Sequence, residues 1–221
     1  MDILLIRDKK GKQIMERMLV TQALNELKLL DSRILKEVKQ ARFVAAAKTT
    51  EKKISPSITK DEFIEQAKSS YQSIKDLIAR RATIKAAVVA SNAVTKVTIA
   101  GVEMTVADAI ERKTSIDYEI GLLTTMKNQF EQERSKVNMQ NTLMEDKIDK
   151  NIEIMLGKDG KTKDEDLDSM MKLFRSANQW SLVDPLDIEK LINELTDQVN
   201  GFSSEVDSAL QISNCITWIE F

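Results

Sequence analysis

From Val20 onward the apolar residues step by alternating fours and threes: Val20, Leu24, Leu27, Asp31, Ile34, Val38, Ala41, Ala45. That spacing keeps one stripe of a helix turned toward a partner, whereas a strand alternates its side chains with period two. The pattern recurs as Phe63, Ala67, Ser70, Ile74, Leu77, Arg81, Ile84 and Val88, and again as Ile188, Ile192, Leu195, Val199, Phe202, Val206 and Ala209. Between them Ile116, Leu123, Phe130, Val137 and Met144 repeat every seven. These seams predict an all-α fold, an elongated helical bundle of long antiparallel helices with a small β-hairpin near 94–104. The scarcity of turn formers agrees, since 6 Gly, 2 Pro and 5% aromatic residues suit neither a sandwich nor a barrel.

Punctuation sets the boundaries. Pro56 in "TTEKKISPS" disfavours helix at the residue before it, and "TKDE" then offers a capping box, with Thr59 and Glu62 satisfying each other's backbone amides. Residues 13–90 therefore read as a helical hairpin. "VTKVTI" and "VEM" alternate around Ala100-Gly101, which predicts a β-hairpin over 93–104. A lone two-stranded hairpin is marginal, so it must pack on the bundle or on another chain. A long helix follows over 105–156, with Asp108 in the capping-box position, then a loop at 157–166 and C-terminal helices over 167–214. Asp184 can cap the last of these, with Pro185 at its first helical position. "CITWIEF" reads as a docked tail or a strand that could pair with the hairpin or with "DILLIR". The whole chain, 1–221, reads as a single helical domain.

Polar residues interrupt the seams in two places. With Ala45 beside Phe63 and Val20 beside Val88, Asp31 and Arg81 fall about one turn apart. They are expected either as a buried ion pair that fixes register or as a pair at the seam edge, in water. In the long helix Lys127, Arg134 and Asn141 occupy successive positions of one heptad column, the edge of a stripe or the lining of a polar groove. Long basic side chains favour the edge, where they can snorkel.

Much chemistry is excluded. The chain has no histidine and one cysteine, which removes Ser-His-Asp and Cys-His catalysis and the common zinc and iron–sulfur sites. No Walker A or G-x-G-x-x-G is present, and "KDGKTKDED" lacks the spacing of a calcium loop. Asp164/Asp166 and Asp184/Asp187 could bind Mg²⁺, but acidic residues are ordinary in loops and caps. The expectation is no enzyme, no cofactor, no catalytic residue and no metal. Cys215 is given no reactivity, and an intrachain disulfide is impossible. "MDILLIR" is too short and too charged for a signal peptide, and no apolar run reaches bilayer length, so a cytoplasmic protein without membrane contact is expected.

Net charge is −2, but residues 1–53 carry 13 Lys/Arg against 7 Asp/Glu, and residues 176–221 carry 1 Lys against 8 Asp/Glu. Opposite ends suggest that they meet, within one chain or between subunits. A basic arm for nucleic acid is the rival, yet the basic residues alternate with acidic ones, so no nucleic-acid partner is expected.

"SNAVTKVTIAGVEMTVADAIERK" and "VDPLDIEKL…EVDSALQISN" resemble the central and C-terminal signatures of a family of small helical proteins labelled septicolysin-like, found in bacteria and bacteriophages. Val206-Asp207, Leu210-Gln211 and Asn214 match the C-terminal signature, while Cys215 stands where that signature has tryptophan. The resemblance implies a helical bundle assembling as a homo-oligomer, with no settled activity. With it come two expectations of function. One is a phage-type protein sequestering a small anionic ligand, such as a nucleotide immune signal, in the host cytoplasm. Its contacts would be Lys127 and Arg134 for phosphate, with Asn92, Arg112, Asn214 and Trp218 near the family-like motifs. The other is a structural or assembly protein, a virion component or chaperone, acting through helical interfaces.

Overall fold

The computed structural model describes residues 16–159 and 164–221, and side chains outside 155–166. The described chain is 75% helical, with five helices and small antiparallel strand pairs. In order, these are β1 (Arg17–Leu19), α1 (Val20–Gln40), β2 (Lys53–Ser55), β3 (Ile58–Thr59), α2 (Lys60–Val94), β4 (Lys96–Ile99), β5 (Val102–Thr105), α3 (Val106–Asp159), α4 (Asp164–Asn178), α5 (Ile188–Ile216) and β6 (Trp218–Glu220). The chain divides into two compact units, Met1–Lys113 with Ser203–Phe221, and Thr114–Phe202.

In the first unit, Val20, Ala23, Leu27 and Leu30 of α1 share a core with Ile84 and Val88 of α2 and Ile219 of β6. The start of α1 thus lies against the end of α2, as an antiparallel pair requires. Fully burying each Leu, Ile or Val here contributes roughly 1.5–3 kcal/mol. The α2 seam is buried or half-buried at every expected position from Phe63 to Val88. The α1 seam differs. Ala23 and Leu30 are buried, Leu24 and Ile34 only partly so, and Val38 is 48% exposed. Helix ends at Gln40, although residues 41–48 include the alanines of "FVAAAK". Those alanines favour helix intrinsically but are exposed, and a short helical extension with no face to bury is not stable in water. The connection continues through the β2–β3 hairpin, whose tip is Pro56-Ser57.

The capping box forms as the spacing predicts. Glu62 N–H donates to Thr59 Oγ1 at 3.2 Å, and Thr59 N–H donates to Glu62 Oε2 at 2.8 Å. Asp108 manages the same exchange with Thr105 despite its shorter side chain.

Strands β4 and β5 pair with Ile99 opposite Val102, leaving Ala100 and Gly101 as a two-residue turn. Both have positive φ, 50° and 77°, the backbone of a type I′ turn. The hairpin is seated on α5. Ile99 is buried, and the Ala100 N–H donates to Glu205 Oε2 at 2.6 Å. The C-terminal segment is a strand, as one reading had it, but its partner is β1: Arg17, Met18 and Leu19 face Glu220, Ile219 and Trp218. "DILLIR" lies outside the described residues. The oppositely charged ends do meet at this ribbon, where Arg17 and Glu220 approach to 3.9 Å. Backbone pairing carries the contact, since so exposed an ion pair adds little.

Arg81 donates to Asp31 through Nε and, at 3.5 Å, through Nη2. The pair therefore forms, but with side chains 41% and 47% exposed it stands in water rather than buried. A second tie went unforeseen. Arg80 Nε donates to Glu26 at 2.6 Å, and its two terminal nitrogens grip Glu16.

In the second unit Ile116, Leu123, Met144 and Ile148 are the buried residues of α3, and Ile192, Val199 and Phe202 those of α5. Lys127 and Arg134 are exposed, as the stripe-edge reading has it, whereas Asn141 turns to another task. Its side chain donates to the Trp180 carbonyl at 3.0 Å and accepts the Trp180 N–H at 2.8 Å. Arg175 of α4 holds Glu145 of α3 through Nε and Nη2. The expected loop 157–166 is mostly helix, because α3 runs to Asp159 and α4 begins at Asp164. The side chains of Asp164 and Asp166 lie outside the description. Helix α5 begins at Ile188, not at Pro185. Asp184 does cap, but across a turn, accepting from the backbone N–H groups of Leu186 and Ile188. No helix among the described residues is long and apolar enough to cross a membrane.

Candidate functional site

The β1–β6 ribbon determines which helix ends become neighbours. Strand β1 leads directly into α1, and β6 follows α5 with only Thr217 between them. Antiparallel pairing therefore puts the start of α1 beside the end of α5, and the Val20 N–H donates to the Thr217 carbonyl at 3.0 Å. The core of α1 and α2 takes in Ile219 and no residue of α5, so the two helices leave an open groove.

That groove has a volume of about 340 Å³. Thr21, Leu24, Asn25 and Lys28 line it from α1, and Asp207, Leu210, Gln211, Asn214 and Cys215 from α5. Both sets step alternately by three and one, one helical face apiece. Leu24 and Leu210, half-buried, supply an apolar floor. Three amides supply donors and acceptors in equal measure, and Lys28 supplies a cation. The Asp207 carboxylate is engaged by Lys113, which offsets its charge. Thr21 Oγ1 donates to the exposed Cys215 Sγ at 3.5 Å. Such a lining can hold a polar molecule by hydrogen bonds and one positive charge. Among the described residues no group of three or more His, Cys, Asp or Glu could hold a metal ion.

Of the six residues expected from the sequence, Asn214 lines this groove and the other five do not. Asn92 is half-buried near the end of α2, and Arg112 half-buried in the second turn of α3. Trp218 is half-exposed on β6, and the Arg17 guanidinium lies 4.6 Å from its ring centroid, occupying one face of the indole. Lys127 and Arg134 belong to the Thr114–Phe202 unit, and Arg134 lies 5.8 Å from the Phe130 ring centroid.

Sequence reasoning missed Thr21, Asn25 and Lys28. Their spacing on one face of α1 was visible, but a polar helix face is ordinarily just solvated. On α5, Asn214 was the one lining residue named from the sequence; Asp207, Leu210 and Gln211 lie on the same helical face. Comparison with protein-family models, curated proteins and solved structures finds no match for the chain.

Proposed function

We propose that this is a non-enzymatic, homo-oligomeric binding protein that sequesters a small anionic ligand in the groove between α1 and α5. The observation that carries the reading is the lining itself: Lys28 with Asn25, Gln211 and Asn214 above an apolar floor. A phosphate would take the lysine as a point charge, and a base or sugar edge would take the amides. The septicolysin-like resemblance supports a phage-type role, capture of a nucleotide immune signal in the host cytoplasm to evade defence. Four residues that carry the resemblance fall on the groove. Lys127 and Arg134, the phosphate contacts expected from the sequence, are replaced by Lys28 in this proposal.

Thermal unfolding with a panel of cyclic and ADP-ribosyl nucleotides tests it. A ligand at 100-fold above its Kd adds about 2.7 kcal/mol of stability. Lys28→Glu, an exposed change, should abolish the shift while leaving the unliganded protein folded. No shift with any nucleotide would remove this reading.

A second reading, an assembly or virion protein, rests on α2. Ile64, Tyr71 and Ile78 recur every seven residues and remain exposed, along with Val89, on a face separate from the buried seam. Such a face suits another helix.

A further inference from the structure

We propose that a second copy of this chain docks head-to-tail, the basic end of α1 in one copy against the acidic turn before α5 in the next. The inference deepens the homo-oligomeric part of the proposed function and rests on it.

Two surfaces carry the argument. Residues 33–42 hold Arg33, Lys36, Lys39 and Arg42 against a single acid, Glu37. Leu35 and Val38 stand exposed among them, and Val44, two residues further on, at 86%. Residues 180–189 hold Asp184, Asp187 and Glu189 with no Lys or Arg. Here Leu182, Val183 and Leu186 stand exposed, Val183 at 94%. Each segment thus carries exposed apolar residues with charges predominantly of one sign, and the signs are opposite. Apolar centres with charged rims are the usual anatomy of a protein interface, and the opposed rims select partner and orientation. Like surfaces would repel, so a two-fold pairing of either patch with itself is disfavoured.

The acidic surface is also held in one shape. Asn141 clamps the backbone of Trp180 from both sides, and Asp184 pins Leu186 and Ile188. An apolar turn held rigid loses little entropy on docking. Pairing two different patches makes a heterologous interface, which closes into a ring or continues as a filament.

The test uses the full chain in light scattering. Lys39→Glu/Arg42→Glu disables one patch, and Glu189→Lys/Val183→Lys disables the other. Each variant alone should run as a monomer, with circular dichroism matching the parent. Because each retains one intact patch, mixing the two should give a dimer that stops at two copies. Raising salt should weaken the parent assembly. An assembled parent whose variants remain assembled would overturn this interface and leave the homo-oligomeric reading standing. A monomeric parent would overturn both. Variants that dissociate singly but stay monomeric when mixed would overturn the head-to-tail geometry.

Discussion

Arg80 grips the carboxylate of Glu16 with two parallel hydrogen bonds, Nη1 to Oε1 at 3.0 Å and Nη2 to Oε2 at 2.8 Å. Its Nε reaches Glu26 in α1, and its guanidinium lies 5.9 Å from the Phe221 ring centroid. One planar donor fork on α2 thus joins α1 to both strands of the β1–β6 ribbon at the end where Glu16 faces Phe221. Lysine, a compact point charge without a planar fork, cannot hold Glu16 through two parallel bonds while also reaching Glu26. Arg80→Lys should lower the unfolding free energy by about 1–2 kcal/mol, between the values for exposed ion pairs and for buried charged hydrogen bonds. Urea titration reads this, and an unchanged midpoint would show that the fork is incidental.

The neighbouring pair, Arg81 with Asp31, should behave differently because water reaches both side chains. Asp31→Ala should cost less than Arg80→Lys. A double-mutant cycle with Arg81→Leu should give a small coupling that shrinks with added salt. A large, salt-insensitive coupling would mean that the pair is desolvated after all.

Among the described residues, four carboxylates are held below their ordinary range by the hydrogen bonds they accept. Hydrogen bonds from Arg80 lower Glu16, those from Arg81 lower Asp31, those from Arg175 lower Glu145, and the Thr59 backbone N–H lowers Glu62. A depressed carboxylate contributes stability above its unfolded pKa and loses it as pH falls through the folded value. The melting temperature should therefore be nearly flat above about pH 5 and fall below about pH 4. Glu62→Gln keeps an acceptor for the cap but removes its titration, so its curve should fall less steeply. Parallel curves would contradict the role of the cap.

The β4–β5 turn carries a residue in an unfavourable conformation. Ala100 sits at φ 50°, where its Cβ crowds the backbone, and only the bond to Glu205 and the flanking strands keep it there. Ala100→Gly should raise stability by about 0.5–1 kcal/mol, the relief of the left-handed strain less the added entropy of glycine. Gly101→Ala should lower it by about 1 kcal/mol. No atom lies within 4 Å of the Cβ it would add, so the cost there is conformational rather than steric. Calorimetry of the two variants decides, since opposite signs are required.

Asn141→Ala removes both bonds to the Trp180 backbone. Hydrogen exchange at Trp180 should accelerate while amides of α1 and α2 keep their protection. Uniform acceleration would assign Asn141 a global role.

How far the fold was legible varies with the helix. In α2 and α5 the expected stripe is the one that packs: Phe63 to Val88 and Ile188 to Ala209 are buried or half-buried at every seam position, while the second stripe of α2, through Ile64, Tyr71 and Ile78, stays exposed. In α1 two stripes start from Val20, one through Leu24 and Asp31, the other through Ala23 and Leu30. Large residues favour the first on paper. The second packs more deeply: Ala23 and Leu30 are buried, whereas Leu24 and Asp31 are only half-buried. The candidate groove was half-legible. Asn214 was among the residues expected from the sequence, but the α1 side looked like any solvated helix face.

The sequence by itself determined the helices, their caps and the hairpin turn, because period, capping residues and positive-φ preferences act within a few residues. The absence of histidine and the single cysteine also leave no Ser-His-Asp, Cys-His or cysteine-rich metal motif in the sequence. Only the tertiary structure decided which ends meet, through pairing of strands almost two hundred residues apart. It placed Arg80 between two carboxylates, left Asp31 and Arg81 in water, and opened a groove between α1 and α5. Those outcomes depend on burial against distant surfaces, and no local pattern in the chain specifies them.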